Sequence, residues 1–592
     1  MSEIIAAYQA FQAAQDALLI NLRADARVDY HFRIGTGAPF DVTLLDKFYL
    51  DPKVGAEFEQ LEFYVNGVKW RSDRIPEFPL PQPEKVLTLP LQISLDERYR
   101  YDLLGEETVD GYDCWVVEFR PLTSDETLYK GRVWIDKKTF ARVQLASLET
   151  GLDPPIISNE EKDFFRPIRG PDGLEHWVVY KIKGQQLFST AGRSLVMSRE
   201  VTFTNHVIND TGFEKLHRRA YASDHQLIRD TPVGHRYLEK TADGGRRVKE
   251  ELDKDNLFLL GGVFYNRSLD FPVPLAGVNY FNRDLGGRNV QTNIFFAGLL
   301  LLANLSEPDL FGTGLDASVD VWAQGFSITD RPVIDSREEE SQNVDLTRQN
   351  VTVGVGLPFA DYWKVKWTGS LEFQGFARDE ETKGNFVLPT DTLVTTFGMT
   401  GEFNRNAWNV TSRIRVSRRS EWEPWGDPAA PPELNEFDSS RKDFVKYQAR
   451  VVKDFFLPLN QRVRASVTAF GGADLDRFSK YKFDFFTNRL RGFSGAGYRY
   501  TNGATAELQY AFNLANLIRF EATVDQAHVK DRTLPNELGG DYKNFTGLGI
   551  SGQTILGPNY IISLDWGIAL SSGIEDFRGD QEVFITLLRI LK

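Results

Sequence analysis

The sequence predicts an N-terminal α+β part over residues 1–205 and a C-terminal all-β transmembrane antiparallel barrel over residues 256–592. A charged linker over residues 206–255 is expected to join them. Three observations predict this division. Residues before 205 combine a helical segment with short strands. Residues after 256 alternate apolar and polar side chains with the two-residue period of a β-strand. Aromatic residues make up 13% of the chain, alongside 48 glycines, as is typical of barrels with aromatic girdles and tight turns.

The N-terminal part begins with a predicted helix. Ile4, Tyr8, Phe11 and Leu18 recur at helical spacing within an alanine-rich segment. Strand-like segments then follow turns, as where YDCWVVEFRP follows VDG. Because residues 206–255 are polar and lack a core pattern, we expect them to form a loosely packed linker.

The C-terminal segments have the length and the alternation of membrane-spanning strands. In WNVTSRIRVS, Ile414 and Val416 take one face and Arg413 and Arg415 take the other. A tilted strand of about ten residues spans a bilayer, although soluble antiparallel sheets also alternate. Many segments keep an apolar face, and short turns alternate with long polar connections. Together these features favour a membrane barrel of about 14 to 16 strands.

Composition excludes several other classes of protein. The formal net charge of -14, without a basic block, argues against nucleic acid as a partner. The single cysteine, Cys114, excludes an intrachain disulfide. The longest apolar run, residues 294–305, is shorter than the roughly 20 residues of a membrane-spanning helix. The first residues do not have the pattern of a signal peptide.

No motif indicates an enzyme. The 7 histidines are scattered without the spacing of a zinc site, and neither a phosphate-binding loop nor a nucleophile elbow is present in the sequence. We therefore predict no catalytic residue, no metal site and no cofactor.

One loop stands out between the predicted strands 461–473 and 503–512. It contains NRLRGFSGAGYR, residues 488–499. Alternation turns Glu507 inward in the strand after the loop and Asp525 inward in the next. If the loop folds back into the barrel, Arg491 lies between these acids, where a charge-assisted pair is strong. The neighbouring glycines would let the backbone pass close to the wall.

From about residue 270 onward, the ordered motifs RLRGF, GATAELQYAF and FEATVDQAHV resemble the C-terminal barrel of the BamA-type outer-membrane assembly and translocation superfamily. The resemblance implies a loop plugged into the lumen, with Arg491, Gly492 and Phe493 at its tip. Glu507 and Asp525 would be the lumen partners of this tip.

The barrel departs from the superfamily pattern in several respects. Val524 and Ala527 stand where an aromatic residue and a glycine usually flank the aspartate. We also count about fourteen strands where the superfamily usually has sixteen, and we expect the missing hairpin between residues 419 and 443.

The N-terminal part resembles a different family. It lacks the repeated POTRA domains of BamA-type proteins, and its segments GEETVDGYDCWVVEF and GRVWIDKKTFARV resemble the LolA-like lipoprotein-sorting domain. This implies a curved half-barrel over a helix, enclosing an apolar cavity for acyl chains. Trp115 and Trp134 lie in these segments, and we expect them in an ordinary core more readily than in a cavity.

The resemblances imply an insertase or translocase of the bacterial outer membrane for lipoproteins, lipids or membrane proteins. A periplasmic N-terminal domain would bind acyl chains of lipoproteins or lipids and deliver the cargo. Outer-membrane lipids and nascent outer-membrane or surface proteins are the other expected partners, and lateral opening at a weak seam between the first and last strands is the expected mechanism. Two alternatives stay open: a passive porin-like or adhesin-like barrel with a structural periplasmic domain, and a soluble lipid-binding protein with two β domains.

Overall fold

The structure is a computed structural model that describes residues 1–591 except positions 36, 38, 72–95, 124–127, 232–233, 243, 251–253, 270, 335, 430–440, 486, 533–539 and 558. The chain forms two compact units. Unit 1 comprises Met1–Phe188 and Ser194–Asp253, and unit 2 comprises Ser189–Arg193 and Lys254–Lys592.

Unit 1 is built on a sheet of 14 strands with two helices. The order of neighbouring strands is β14-β13-β12-β3-β2-β1-β11-β10-β9-β8-β7-β6-β5, and β4 pairs with β3. The elements are α1 (Ser2–Leu18), β1 (Leu22–Ile34), β2 (Phe40–Asp51), β3 (Gly55–Val65), β4 (Val68–Lys69), β5 (Tyr99–Val109), β6 (Tyr112–Pro121), β7 (Leu128–Asp136), β8 (Arg142–Thr150), β9 (Ile156–Arg169), β10 (Glu175–Thr190), β11 (Arg193–Ile208), α2 (Phe213–Ala222), β12 (Gln226–Thr231), β13 (Gly234–Lys240) and β14 (Arg246–Val248).

The interval 206–255 does not form the loosely packed linker that we expected. It contains α2 and β12–β14, and β12 extends the sheet by pairing with β3. Phe213 of α2 is buried against Tyr49, with ring centroids 5.9 Å apart. The prediction was wrong because these elements are short and their many charged side chains hide the few buried apolar residues.

The LolA-like motifs form neighbouring hairpins of the unit 1 sheet. GEETVDGYDCWVVEF spans the β5–β6 hairpin, and GRVWID lies in the adjoining β7. Trp134 packs in a buried cluster with Cys114, Val116 and Val143, and its indole N–H donates to Glu107 Oε2 at 2.8 Å. Trp115 stacks on Phe140.

Unit 2 is a closed barrel of antiparallel strands. Its wall consists of β15 (Asp255–Tyr265), β16 (Val273–Asn282), β17 (Gln291–Ala297), β18 (Leu300–Glu307), β19 (Asp316–Gln324), β20 (Ile328–Asp330), β23 (Val344–Ala360), β24 (Trp363–Arg378), β25 (Thr392–Arg405), β26 (Trp408–Arg419), β27 (Asp443–Leu457), β28 (Gln461–Ala473), β31 (Asn502–Leu514), β32 (Ile518–Lys530), β33 (Lys543–Leu556), β34 (Tyr560–Ser572) and β35 (Gln581–Ile590). Four two-residue strands lie in its connections: β21 (Val333–Ile334), β22 (Arg337–Glu338), β29 (Tyr481–Lys482) and β30 (Arg499–Tyr500).

The barrel has 16 strand positions, because β19 and β20 both pair with β23 and share one position. The count of about fourteen was therefore wrong. No hairpin is missing, because all 16 positions are present although β26 pairs directly with β27. Residues 430–440 of their connection lie outside the described residues. Alternation undercounts the strands because β17 and β18 both lie in the apolar stretch around residues 294–305, where apolar side chains occupy both faces.

The two faces of the wall differ in chemistry. On the outward face, apolar side chains are exposed on successive strands, including Phe397, Val416, Val451 and Leu508. The opposite face carries buried polar side chains. No helix in the described part of the chain combines the length and hydropathy of a membrane-spanning segment.

The two rims of the barrel also differ. From β23 onward, the connections after β23, β25, β27 and β31 at one rim are turns of two or three residues, whereas the connections after β26, β28 and β32 at the other rim are long. This matches the expectation of short turns at one rim and long loops at the other.

Unit 1 contains a deeply buried carboxylate, Asp163. Asp163 on β9 is fully buried, and among the described residues neither of its carboxylate oxygens has a hydrogen-bond partner. Burial raises the pKa of Asp163 well above its ordinary value, and the nearby Arg142 offsets this only in part. The folded state therefore binds a proton that the unfolded state releases, so stability decreases as pH rises from the unfolded pKa of about 3.9 through the folded pKa.

We predict that Asp163→Asn, which resembles the protonated acid, matches the parent at acidic pH and becomes more stable than the parent as pH rises. The expected gain is about 1.4 kcal/mol for each unit by which the folded pKa exceeds the unfolded one. Hydrogen exchange of β9 amides in the whole protein, measured between pH 5 and 9 and corrected for intrinsic rates, reports this difference. Asp113→Asn, at an exposed site, is the control. An Asp163→Asn variant that is less protected at every pH contradicts the prediction.

Candidate functional site

The candidate site is the connection between β28 and β31, residues 474–501, called the central loop here. Its predicted tip is buried, with Arg491 5% exposed and Phe493 fully buried. The loop contacts the inward faces of several strands, and ion pairs form its principal polar contacts.

The structure brings Arg491 together with both acids that the sequence predicts. Arg491 Nη1 donates to both carboxylate oxygens of Asp525 at 3.0 Å and to Glu507 Oε2 at 3.3 Å. The backbone N–H of Arg491 donates to Asp525 Oδ2 at 3.0 Å. Asp525 therefore binds the backbone and the side chain of one residue, which defines the position of the loop tip.

The strand register explains why a cation is needed at this point. Glu507 on β31 and Asp525 on β32 are direct cross-strand neighbours. Like charges in this relation repel each other and destabilise a sheet. Arg491 supplies the positive charge that lets both carboxylates remain on one buried face.

Three glycines of the wall make room for Arg491. A Cβ added at Gly549 would lie 2.0 Å from Arg491 Cδ, and one added at Gly547 would lie 2.3 Å from the carbonyl oxygen of Arg491. A Cβ added at Gly567, the cross-strand partner of Gly549, would lie 3.0 Å from Arg491 Cβ. The glycines of β33 and β34 thus form a slot in which the arginine lies, and a larger side chain would close the slot.

The other two tip residues fix the backbone and the packing. Gly492 has φ of 81°, and a Cβ there would lie 2.1 Å from the backbone nitrogen of Ala569. Phe493 packs edge-on against Phe545 and tilted against Phe483, with ring centroids 5.4 and 6.2 Å away. The Arg-Gly-Phe triplet therefore combines a charge, a close backbone approach and an aromatic anchor.

Sequence reasoning missed a second cation in this loop, Arg489. Arg489 donates to both carboxylate oxygens of Asp565 on β34, at 2.6 and 3.0 Å. It also donates through Nε and Nη2 to Glu582 Oε1 on β35, at 2.8 and 2.7 Å. A signal was present in the sequence, since alternation in β34 places Asp565 on the polar face, and Arg489 precedes Arg491 by two residues.

Further ion pairs hold the rest of the central loop. Arg477 pairs with Asp330 of β20 at 2.7 Å, and Arg499 pairs with the same carboxylate. Asp476 pairs with Arg419 of β26 at 2.8 Å, with both side chains fully buried. The loop is thus fastened at separate points around the wall, on β20, β26, β31, β32, β34 and β35.

These contacts hold the loop against the wall. In the described part of the chain, each acid that contacts Arg489 or Arg491 forms an ion pair with that arginine. Among the described residues, no group of three His, Cys, Asp or Glu side chains is placed to hold a metal ion.

The seam between the first and last strands is paired. Phe258–Tyr265 of β15 pairs with Val583–Ile590 of β35. By contrast, β16 pairs with β17 only over Val278–Asn282. The seam between β15 and β35 therefore has more paired residues than the contact between β16 and β17, which does not agree with the expectation of a weak seam.

A family model described only as an uncharacterized protein matches residues 91–150. No curated protein matches the sequence. The solved structures with a similar fold include BamA from Haemophilus ducreyi lacking POTRA domains 1-3, which is 10% identical with a TM-score of 0.40 and covers 73% of this chain and 90% of that chain. CdiB from Acinetobacter baumannii is 11% identical with a TM-score of 0.37 and covers 63% of this chain and 67% of that chain.

A putative outer membrane lipoprotein-sorting protein domain from Vibrio parahaemolyticus is 15% identical with a TM-score of 0.21 and covers 36% of this chain and 97% of that chain. Structures of both kinds that the sequence resembles, BamA-type barrels and lipoprotein-sorting domains, are thus among those found. The similarity is distant and concerns the fold.

We predict that Gly492→Ala displaces the loop tip, because the added methyl group combines a left-handed backbone with a collision against Ala569. Limited proteolysis of the folded barrel should then cut the central loop faster than in the parent. Gly312→Ala is the matched control, because Gly312 has φ of 71° but no atom within 4 Å of an added Cβ. Equal cleavage in the parent and in Gly492→Ala would contradict this account of the tip.

Proposed function

We propose that this chain is a non-catalytic insertase or translocase of the bacterial outer membrane, in which unit 2 spans the membrane and the central loop is plugged into the lumen. The observation that carries the proposal is the fastening of Arg489 and Arg491 to acids on four strands. In this role the loop occupies the bore and braces the wall from inside. Cargo would pass by controlled movement of the loop or of the wall.

The outward face supports the membrane location. Exposed apolar side chains continue over successive strands, an arrangement that is costly in water and stable in a bilayer. Cation–aromatic pairs follow the rim with the short turns: Arg405 lies over Tyr362, and Lys453 lies over Trp408. Aromatic rings and snorkelling cations are typical of the level of the lipid headgroups.

The fastening of the loop favours translocation over passive conduction. A passive pore needs an open, water-filled bore. In this barrel the loop is buried and joined to separate parts of the wall, including Asp330 on β20 and Glu582 on β35. Breaking a buried ion pair costs about 3–5 kcal/mol, so several such pairs hold the loop firmly until a partner or cargo compensates the loss.

Unit 1 is proposed to lie in the periplasm as a LolA-like half-barrel that binds acyl chains of lipoproteins or lipids and delivers them. Its support is the sequence motifs of β5–β8 together with the large sheet to which these strands belong. Carrying acyl chains through water requires a covered apolar site, since each exposed methylene costs about 0.8 kcal/mol. Outer-membrane lipids and nascent outer-membrane or surface proteins are the proposed further partners.

Conductance in planar bilayers tests the role of the loop. We predict small, flickering currents for the parent and larger, steady currents for the double variant Arg489→Ala with Arg491→Ala, because the loop then loses its anchors on β31, β32, β34 and β35. Arg418→Ala is the control. In the described part of the chain, Arg418 forms only a highly exposed ion pair on the same barrel, so the conductance of the Arg418→Ala variant should match that of the parent.

Large, steady currents from the parent, unchanged in the double variant, would contradict the proposal and favour the passive porin-like barrel. Heat-modifiable gel mobility of each variant, measured in parallel, shows whether the barrel itself has folded.

A further inference from the structure

A groove crosses the outward face of the barrel where its first and last strands meet. The cavity has a volume of about 570 Å³, and its lining includes Leu259, Gly261, Ala276, Phe296 and Arg589. It therefore spans the seam from β35 across β15 to β16 and β17. Most of its lining is apolar, as befits a surface in contact with hydrocarbon.

The groove arises where two neighbouring small residues, Gly261 and Ala276, lie beside a row of large ones. In the register, Gly261 is paired with Leu587 on one side and Ala276 on the other. A Cβ added at Gly261 would meet no atom within 4 Å, so the space above this residue is empty. The adjacent row holds Leu259 and Val278, whose side chains form one wall of the groove.

A cation stands at one end of this groove. Arg589 belongs to the outward face of β35, where Ile585 and Leu587 are also exposed. Its guanidinium lies 5.2 Å from the ring centroid of Tyr560. Among the described residues no carboxylate forms an ion pair with it.

Comparison with another cation of the same rim shows why Arg589 is distinctive. Lys453 stacks on Trp408 in the same manner, but its ammonium also donates to the backbone oxygen of Asn406 at 2.6 Å. Arg589 thus combines an available guanidinium with an adjoining apolar channel.

We propose that the groove binds one phospholipid, with an acyl chain in the channel across the seam and the phosphate on Arg589. This inference rests on the proposed membrane location of the barrel. An arginine fork suits a phosphate, with which it forms paired charge-assisted hydrogen bonds. A chain in the groove contacts β35, β15 and β16 together, so the lipid bridges the first and last strands and favours the closed seam.

The test is native mass spectrometry of the whole protein in detergent with added phosphatidylglycerol. The parent should retain one lipid. Gly261→Leu fills the channel and should reduce retention at least several-fold. Gly369→Leu is the matched control, because Gly369 is an outward glycine on β24 with no atom within 4 Å of an added Cβ, and it should retain the lipid as the parent does.

A second pair of variants tests the headgroup contact. Arg589→Gln should reduce retention of phosphatidylglycerol, whereas Lys453→Gln should leave retention unchanged. Three probes separate the possible sources of binding. Phosphatidylglycerol should bind, diacylglycerol should bind weakly because it lacks the phosphate, and inorganic phosphate alone should not bind because it lacks the chain.

The lipid site would be overturned if Gly261→Leu and Arg589→Gln both retain phosphatidylglycerol as the parent does. It would also be overturned if the Gly369→Leu control loses the lipid to the same extent as Gly261→Leu. Binding of inorganic phosphate as strong as that of the lipid would also overturn it. Heat-modifiable mobility and insertion into vesicles are measured on the same samples. A barrel that inserts but retains no lipid refutes only the site, whereas a barrel that fails to insert refutes the membrane location on which the site rests.

Discussion

Two carboxylates that face each other across neighbouring strands, away from bulk water, require a cation, and in this barrel the cation comes from a loop. Glu507 and Asp525 are direct cross-strand neighbours, and Arg491 contacts both. Without that guanidinium, the more distant Arg464 of β28, 3.9 Å from Glu507, would be left to offset the repulsion between the acids. The stability of the wall is therefore coupled to the seating of the loop through Arg491.

The position of the loop also connects the motif to the seam. Arg491 is tied to β31 and β32, Arg489 is tied to β34 and β35, and β33 lies between these pairs with Gly547 and Gly549 facing the loop. Glu582 belongs to β35, the strand that closes the barrel against β15. In the proposed function, separation at the seam would pull on Glu582, so release of Arg489 is a natural first step. A lipid in the outward groove would oppose the same movement from the other side of the wall.

Alternation was sufficient to predict the last strands and the inward direction of Glu507 and Asp525. Side chains of a strand alternate between two faces, so once the apolar face is known, the direction of every other side chain is fixed. Alternation could not predict the ion pairs of Arg489. The partner of a loop residue depends on the path of the loop, and a loop has no periodic pattern in its sequence. The strands β17 and β18 were hard to recognise because apolar residues lie on both of their faces, which removes the alternation. In unit 1, the charged surface of α2 concealed Phe213, whose burial against Tyr49 depends on a distant part of the chain.

A double-mutant cycle between Arg491→Ala and Asp525→Ala tests the central claim most directly. The free energy of unfolding of the barrel would be measured for the parent, both single variants and the double variant, by urea titration in lipid vesicles with tryptophan fluorescence. If the Arg491 guanidinium is seated between the acids, each single variant should be strongly destabilised. The free energy of unfolding lost in the double variant should be smaller than the sum of the two single losses, with a coupling energy of about 2 kcal/mol or more. Additive losses, with no coupling beyond experimental error, would contradict it.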